Sequence, residues 1–136
     1  MLVHDVMTTN PAIIAPNASV GQALEVMRTA DVRHLPVASR HTLMGMISDR
    51  DLGDTMQRVY AAQLEGRGAT EALTVPISKI MQSDVVTVGP EDELMEAANL
   101  LVDHRIGALP VVDPRSGDLV GIVSYVDILR AVRPLL

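Results

Sequence analysis

The chain has 136 residues, a formal net charge of −6 and no cysteine. That length suits one domain, or two small units that must pack together, since a fragment of about sixty residues buries too little surface to be stable alone. Disulfides, thiol chemistry and thiolate zinc sites are excluded, and the acidic balance opposes a polyphosphate partner. With Tyr60 and Tyr125 as the only aromatic residues, base stacking has almost no material and the core must be built from Val, Ile, Leu, Met and Ala. No run approaches the roughly 18 apolar residues of a membrane span, and the N-terminus lacks a basic stretch leading into an apolar one. A cytoplasmic protein with no nucleic-acid and no membrane partner is expected.

In chain order the predicted elements occur twice. Ile13–Ile14 is a short β-prone run ending at Pro16. Ser19 then caps a helix whose Val20, Ala23, Leu24 and Met27 fall on one face. Strand-like runs follow at Leu35–Ala38 and Leu43–Ile47, and a second helix starts after Ser48. Met56–Glu65 reads as helical, and "EGRGATEALTVP" reads as a mobile linker with two glycines before Pro76. The series then repeats. Val86–Val88 ends at Gly89-Pro90, a helix presents Leu94, Ala97, Ala98, Leu101 and Val102, strands run over Leu109–Val112 and Leu119–Val123 around "DPRSGD", and a helix begins after Ser124. The halves align with identities at Met7/Met81, Pro16/Pro90, Ala23/Ala97, Leu35/Leu109, Pro36/Pro110, Val37/Val111, Gly45/Gly121, Ser48/Ser124 and Asp51/Asp127. Such ordered matching argues for duplication. The expected class is α+β, with β-α-β-β-α repeats over 1–57 and 77–136, a helical and flexible linker over 58–76, and a core shared between the repeats.

The order "LPV", an apolar run with Gly, then Ser-x-x-Asp, preceded by "IM…V…P" and a helix, resembles the CBS domain. Its double occurrence from Val6 to Val132 resembles the tandem CBS pair, or Bateman module, of free-standing bacterial or archaeal proteins. The resemblance implies repeats packed with pseudo-two-fold symmetry, with clefts between them that take AMP, ADP, ATP or S-adenosylmethionine. It implies a regulatory sensor that signals energy or metabolite state to a downstream protein, and no catalysis.

On this resemblance Asp51 and Asp127 hold a ribose diol, and Ser48 and Ser124 lie near phosphate at helix N-termini, whose free N–H groups favour an anion. The same Ser-x-x-Asp is also an ordinary helix-capping signature. Backbone at Ile14, Thr87 and Val88 faces adenine, and Pro36, Pro110 and Ala108 wall the site, although core packing explains most of these side chains as well. Arg33 and His34 precede "LPV" in the first repeat, where the second has Gly107 and Ala108, and Arg50 is matched by Val126. The first repeat therefore supplies most of the anion chemistry, with a solvated surface charge as the plain alternative for each Arg. So few cations favour AMP or ADP over ATP.

His4, His34, His41 and His104 show no i, i+4 spacing, so no metal is expected. Ser48, His34 and Asp51 make a nominal triad without a nucleophile elbow, and no Walker loop or G-x-G-x-x-G occurs. No catalytic residue and no cofactor are expected. Apolar stripes on "DLGDTMQRVYAAQL" and "YVDILRAVRPLL" suit a homodimer surface. The competing reading is a structural dimerisation module without ligand, and an enzyme comes a distant third.

Overall fold

The computed structural model describes residues 1–66 and 73–136. Along the chain it forms α1 (Val3–Val6), β1 (Thr8–Thr9), α2 (Val20–Ala30), β2 (His34–Ser39), β3 (Thr42–Ser48) and α3 (Asp49–Leu64). A 3₁₀ turn (Ile77–Lys79), α4 (Leu94–His104), β4 (Ala108–Val112), β5 (Leu119–Ser124) and α5 (Tyr125–Val132) follow. This mixture of helix and short antiparallel sheet is the expected α+β class. The chain divides into two compact units, Ala12–Ser39 with Met44–Ser83, and Met1–Pro11 with Arg40–Leu43 and Asp84–Leu136.

The first-repeat unit begins where Ile14 makes a single parallel bridge to Val37. Its N–H donates to the Pro36 carbonyl at 3.1 Å and its carbonyl accepts from Ala38 at 3.0 Å. The predicted strand is thus one bridge long, because Pro11 and Pro16 bracket it and neither can donate to a ladder. Helix α2 starts as expected. Gln22 N–H donates to Ser19 Oγ at 3.1 Å while Ser19 N–H donates to Gln22 Oε1 at 2.9 Å, so two otherwise orphaned donors are satisfied. Ser19→Ala should cost about 1 kcal/mol, read in urea unfolding; no change in midpoint would mean that the cap is not formed in solution. Val20, Ala23 and Met27 are buried along one face. The β2–β3 hairpin turns at Arg40, whose φ of 59° is what a two-residue turn of this hand demands. Helix α3 runs unbroken to Leu64, so the helix read over Met56–Glu65 is its second half.

The second-repeat unit carries a three-stranded antiparallel sheet in the order β1-β5-β4, with Thr8 opposite Ile122 and Val111 opposite Gly121. Val88 again makes only one parallel bridge, to Val111. Its N–H donates to Pro110 at 3.2 Å and its carbonyl accepts from Val112 at 2.9 Å. Helix α4 buries Leu94, Ala97 and Leu101, but Val102, expected on that face, is 74% exposed. Val102 follows Leu101 directly and so sits about 100° further round the helix.

Each unit is closed by a segment that sequence alignment assigns to the other repeat. Ile77, fully buried, joins Val20, Leu35, Val37, Ile47 and Leu52 in the first-repeat core, while Val3, equally buried, joins Val88, Leu101, Leu109 and Val123 in the second. The buried side chains form two clusters where one shared core was expected. Backbone pairing fixes these closures. Met46 and Gln82 exchange hydrogen bonds, both of 2.9 Å, and Ile77 N–H donates to Ala18 at 2.8 Å. Neither α1 nor β1 was anticipated from the sequence. The linker expected to be mobile falls partly on residues 67–72, which lie outside the described residues.

Candidate functional site

Strand β3 ends and α3 begins at Ser48. Its extended backbone lets Oγ accept from Asp51 N–H at 3.2 Å, while Ser48 N–H and Oγ–H both donate to Asp51 Oδ2, at 2.9 and 3.0 Å. The capping alternative is therefore realised, yet it uses one carboxylate oxygen. Among the described residues Asp51 Oδ1 accepts no hydrogen bond. A half-buried carboxylate held rigid through one oxygen, with the other open, is a preorganised acceptor for paired hydroxyls.

The start of β2 lies against this corner. Asp49 N–H donates to the Arg33 carbonyl at 2.9 Å, and Arg33 Nη1 approaches Asp49 Oδ2 at 3.4 Å with its side chain 80% exposed. His34 is half-buried. Burial pushes its pKa below the ordinary value, the Asp49 and Asp51 carboxylates pull it partly back up, and Arg33 pushes it down. Arg50, at the second position of α3, is exposed and, among the described residues, forms no ion pair. Ile14 is 6% exposed and the Pro36 ring fully buried. Both side chains are taken up by the packed interior.

The second-repeat corner repeats the frame. Ser124 N–H and Oγ–H donate to Asp127 Oδ2 at 2.9 and 3.0 Å, Asp127 N–H donates to Ser124 Oγ at 3.2 Å, and Tyr125 N–H donates to the Gly107 carbonyl at 3.1 Å. Val88, Ala108 and Pro110 are buried, and Thr87 is exposed. The positions of Arg33, His34 and Arg50 are filled here by Gly107, Ala108 and Val126. The contact of Asp49 with Arg33 was missed from the sequence; its signal was a second acidic residue two positions before Asp51, and only the fold brings it to Arg33. Among the described residues no cluster of His, Asp and Glu could hold a metal ion, and no helix is long and apolar enough to cross a membrane.

The family model of the CBS domain matches residues 3–56 and 77–134. The chain belongs to the CBS domain family. As a CBS pair it is 33% identical to the CBS domain-containing protein YhcV of Bacillus subtilis over 126 residues, 93% of this chain and 81% of that protein. The crystal structure of CBSX2 in complex with AMP, a CBS-pair protein of Arabidopsis thaliana, superposes with a TM-score of 0.81 at 29% identity, covering 98% of this chain and 97% of that one. The CBS domain pair of protein MJ0100, in complex with 5′-methylthioadenosine and S-adenosyl-L-methionine, gives a TM-score of 0.79 at 25% identity, covering 100% and 98%. A homoserine O-acetyltransferase of Methanocorpusculum labreanum is 34% identical over 114 residues, 83% of this chain but only 20% of that enzyme. CBS pairs thus occur both as most of a protein and as a small part of an enzyme.

Proposed function

We propose that this CBS pair is a regulatory module that binds an adenosine-containing ligand at its Ser-x-x-Asp corners, AMP or ADP in preference to ATP or S-adenosylmethionine. The observation that carries the reading is the corner built twice with the same Ser–Asp geometry, each holding its Asp through Oδ2 and, among the described residues, leaving Oδ1 without a hydrogen bond. That arrangement suits a ribose diol, whose two hydroxyls need acceptors. The complexes of CBSX2 with AMP and of the MJ0100 pair with methylthioadenosine and S-adenosylmethionine support the ligand class. The cations Arg33 and Arg50 suit a short phosphate chain better than a triphosphate.

The module acts in this reading as a homodimer that passes occupancy to a partner protein. Helix α5 has no buried residue, and an apolar groove on it is lined by Val126, Leu129, Arg130, Arg133 and Leu136. Tyr60 and Leu64 add exposed apolar surface on α3. A sensor of adenine nucleotides belongs where they circulate, in the cytoplasm.

The test is thermal unfolding with AMP, ADP, ATP and S-adenosylmethionine. A ligand at about 1 mM with a dissociation constant near 10 μM should stabilise the fold by about 2.7 kcal/mol. Loss of a ligand's shift in one of the two variants Asp51→Ala and Asp127→Ala identifies the corner that holds that ligand. No shift with any of the four would favour the second reading, a structural dimer without ligand, to which the uncovered face of α5 gives some support.

A further inference from the structure

Resting on that reading, we infer that the two corners take different ligands. The first-repeat corner binds a phosphate-bearing adenosine ligand with uptake of a proton by His34, and the second-repeat corner binds an adenosine ligand that carries no negative charge.

The Ser–Asp hydrogen bonds of the two corners match to the tenth of an ångström, so the difference is sought in the side chains set around them. At the first corner the Arg33 guanidinium meets Asp49 through a long 3.4 Å contact at the surface. Such exposed pairs are weak, and turning the guanidinium to a phosphate costs little. Arg50 stands one residue before Asp51 and is unpaired among the described residues. His34 lies at the foot of β2 with Asp49 and Asp51 from α3 and Arg33 from the preceding turn acting on its charge. The other strands packed here, β3 and the Ala12–Ala15 segment, carry no ionisable side chain.

Burial lowers the His34 pKa and so favours the neutral imidazole near pH 7. A phosphate entering beside it adds negative charge and favours the imidazolium, so binding takes up a proton and tightens as the pH falls towards the ordinary His range. One linked proton changes a dissociation constant by at most about tenfold per pH unit.

None of this exists at the second corner. Gly107, Ala108 and Val126 offer neither a cation nor a titrating group, and the Asp127 carboxylate alone would repel a phosphate. Arg105, the closest cation in sequence, caps the end of α4 in the left-handed region and points the comparison elsewhere, since its counterpart in the first repeat is Asp31, an acidic residue in the same conformation. That position therefore carries no shared anion-binding role.

Calorimetric titration of the full chain with AMP and with 5′-methylthioadenosine, at pH 6 and pH 8, tests both halves. Asp127→Asn, which leaves the first corner intact, should keep AMP binding, and adding His34→Gln should weaken it about tenfold more at pH 6 than at pH 8. Comparing the two variants with the same ligand cancels the titration of AMP itself. Asp51→Asn should keep methylthioadenosine with an affinity independent of pH, and should bind AMP at least tenfold more weakly; Arg105→Ala in that background should change neither. Equal affinity of the second corner for both ligands, or a pH ratio untouched by His34→Gln, would overturn the inference while leaving adenosine binding in place. Failure of the wild-type chain to bind either ligand would instead remove the adenosine reading, and this inference with it.

Discussion

Gly45→Ala is expected to cost about 3 kcal/mol, the upper end of what overpacking a close contact costs, and to lower the unfolding midpoint by on the order of 10 °C. A Cβ at Gly45 would stand 2.6 Å from the Gln82 carbonyl oxygen and 2.8 Å from Met81 Sδ. The sulfur can swing away, but the oxygen cannot, because Gln82 is paired with Met46 through two hydrogen bonds. Gly121→Ala meets the same obstacle in milder form, with Met7 Sδ at 2.8 Å and the Thr8 oxygen at 2.9 Å, and should cost less. Gly53→Ala supplies the contrast. Nothing lies within 4 Å of its Cβ position inside α3, so the change should stabilise the fold by about 0.5–1 kcal/mol through helix propensity. Urea unfolding of the three variants decides the matter, and a Gly45→Ala protein as stable as Gly53→Ala would mean that Met81 and Gln82 do not lie on β3 in solution.

The pairs Gly45/Gly121 and Met7/Met81 show how far the sequence could be read. That both were repeated was plain from alignment, and the repetition gave the α+β class, the capped helices and both hairpins. What alignment could not say is that Met81 covers Gly45 and Met7 covers Gly121. Similarity identifies equivalent positions, whereas contact is decided by which chain segment reaches which sheet. The same limit explains why α1 and β1 were missed, since four helical residues and a two-residue strand carry too short a pattern to stand out. It explains the single bridges at Ile14 and Val88 too, where β-branched residues announced strands that the flanking prolines and Gly89 cut short.

At the corners the motif itself was legible, but its two meanings were not separable. Ser48 with Asp51 satisfies the rule for a capping box and the pattern of a ligand site equally well. The fold shows the cap, made through Oδ2, and among the described residues it leaves Oδ1 without a hydrogen bond, so the two meanings are compatible at one carboxylate. The ion contact between Arg33 and Asp49 belongs to another class of omission, since sixteen residues separate partners that the β2–β3 hairpin folds together.

The second large effect is expected at the segments that close each unit. Ile77→Ala should destabilise the protein by about 3 kcal/mol, within the range for emptying a fully buried aliphatic site, and Val3→Ala by about 2 kcal/mol because fewer methyl groups are lost. Both side chains are inaccessible to solvent. Hydrogen exchange distinguishes their sites of action. Ile77→Ala should speed exchange at the amides of Leu35, Val37 and Ile47, whose side chains share its core, and Val3→Ala at those of Leu109, Val111 and Val123. Acceleration of the same amides by both substitutions would contradict the assignment of each segment to its unit. The consequence reaches the corners, since Asp51 stands on a helix whose Leu52 packs in the core that Ile77 completes. A fragment ending at residue 57 would lack Ile77 and one starting at residue 77 would lack Val3, so neither sequence repeat carries a whole core of its own.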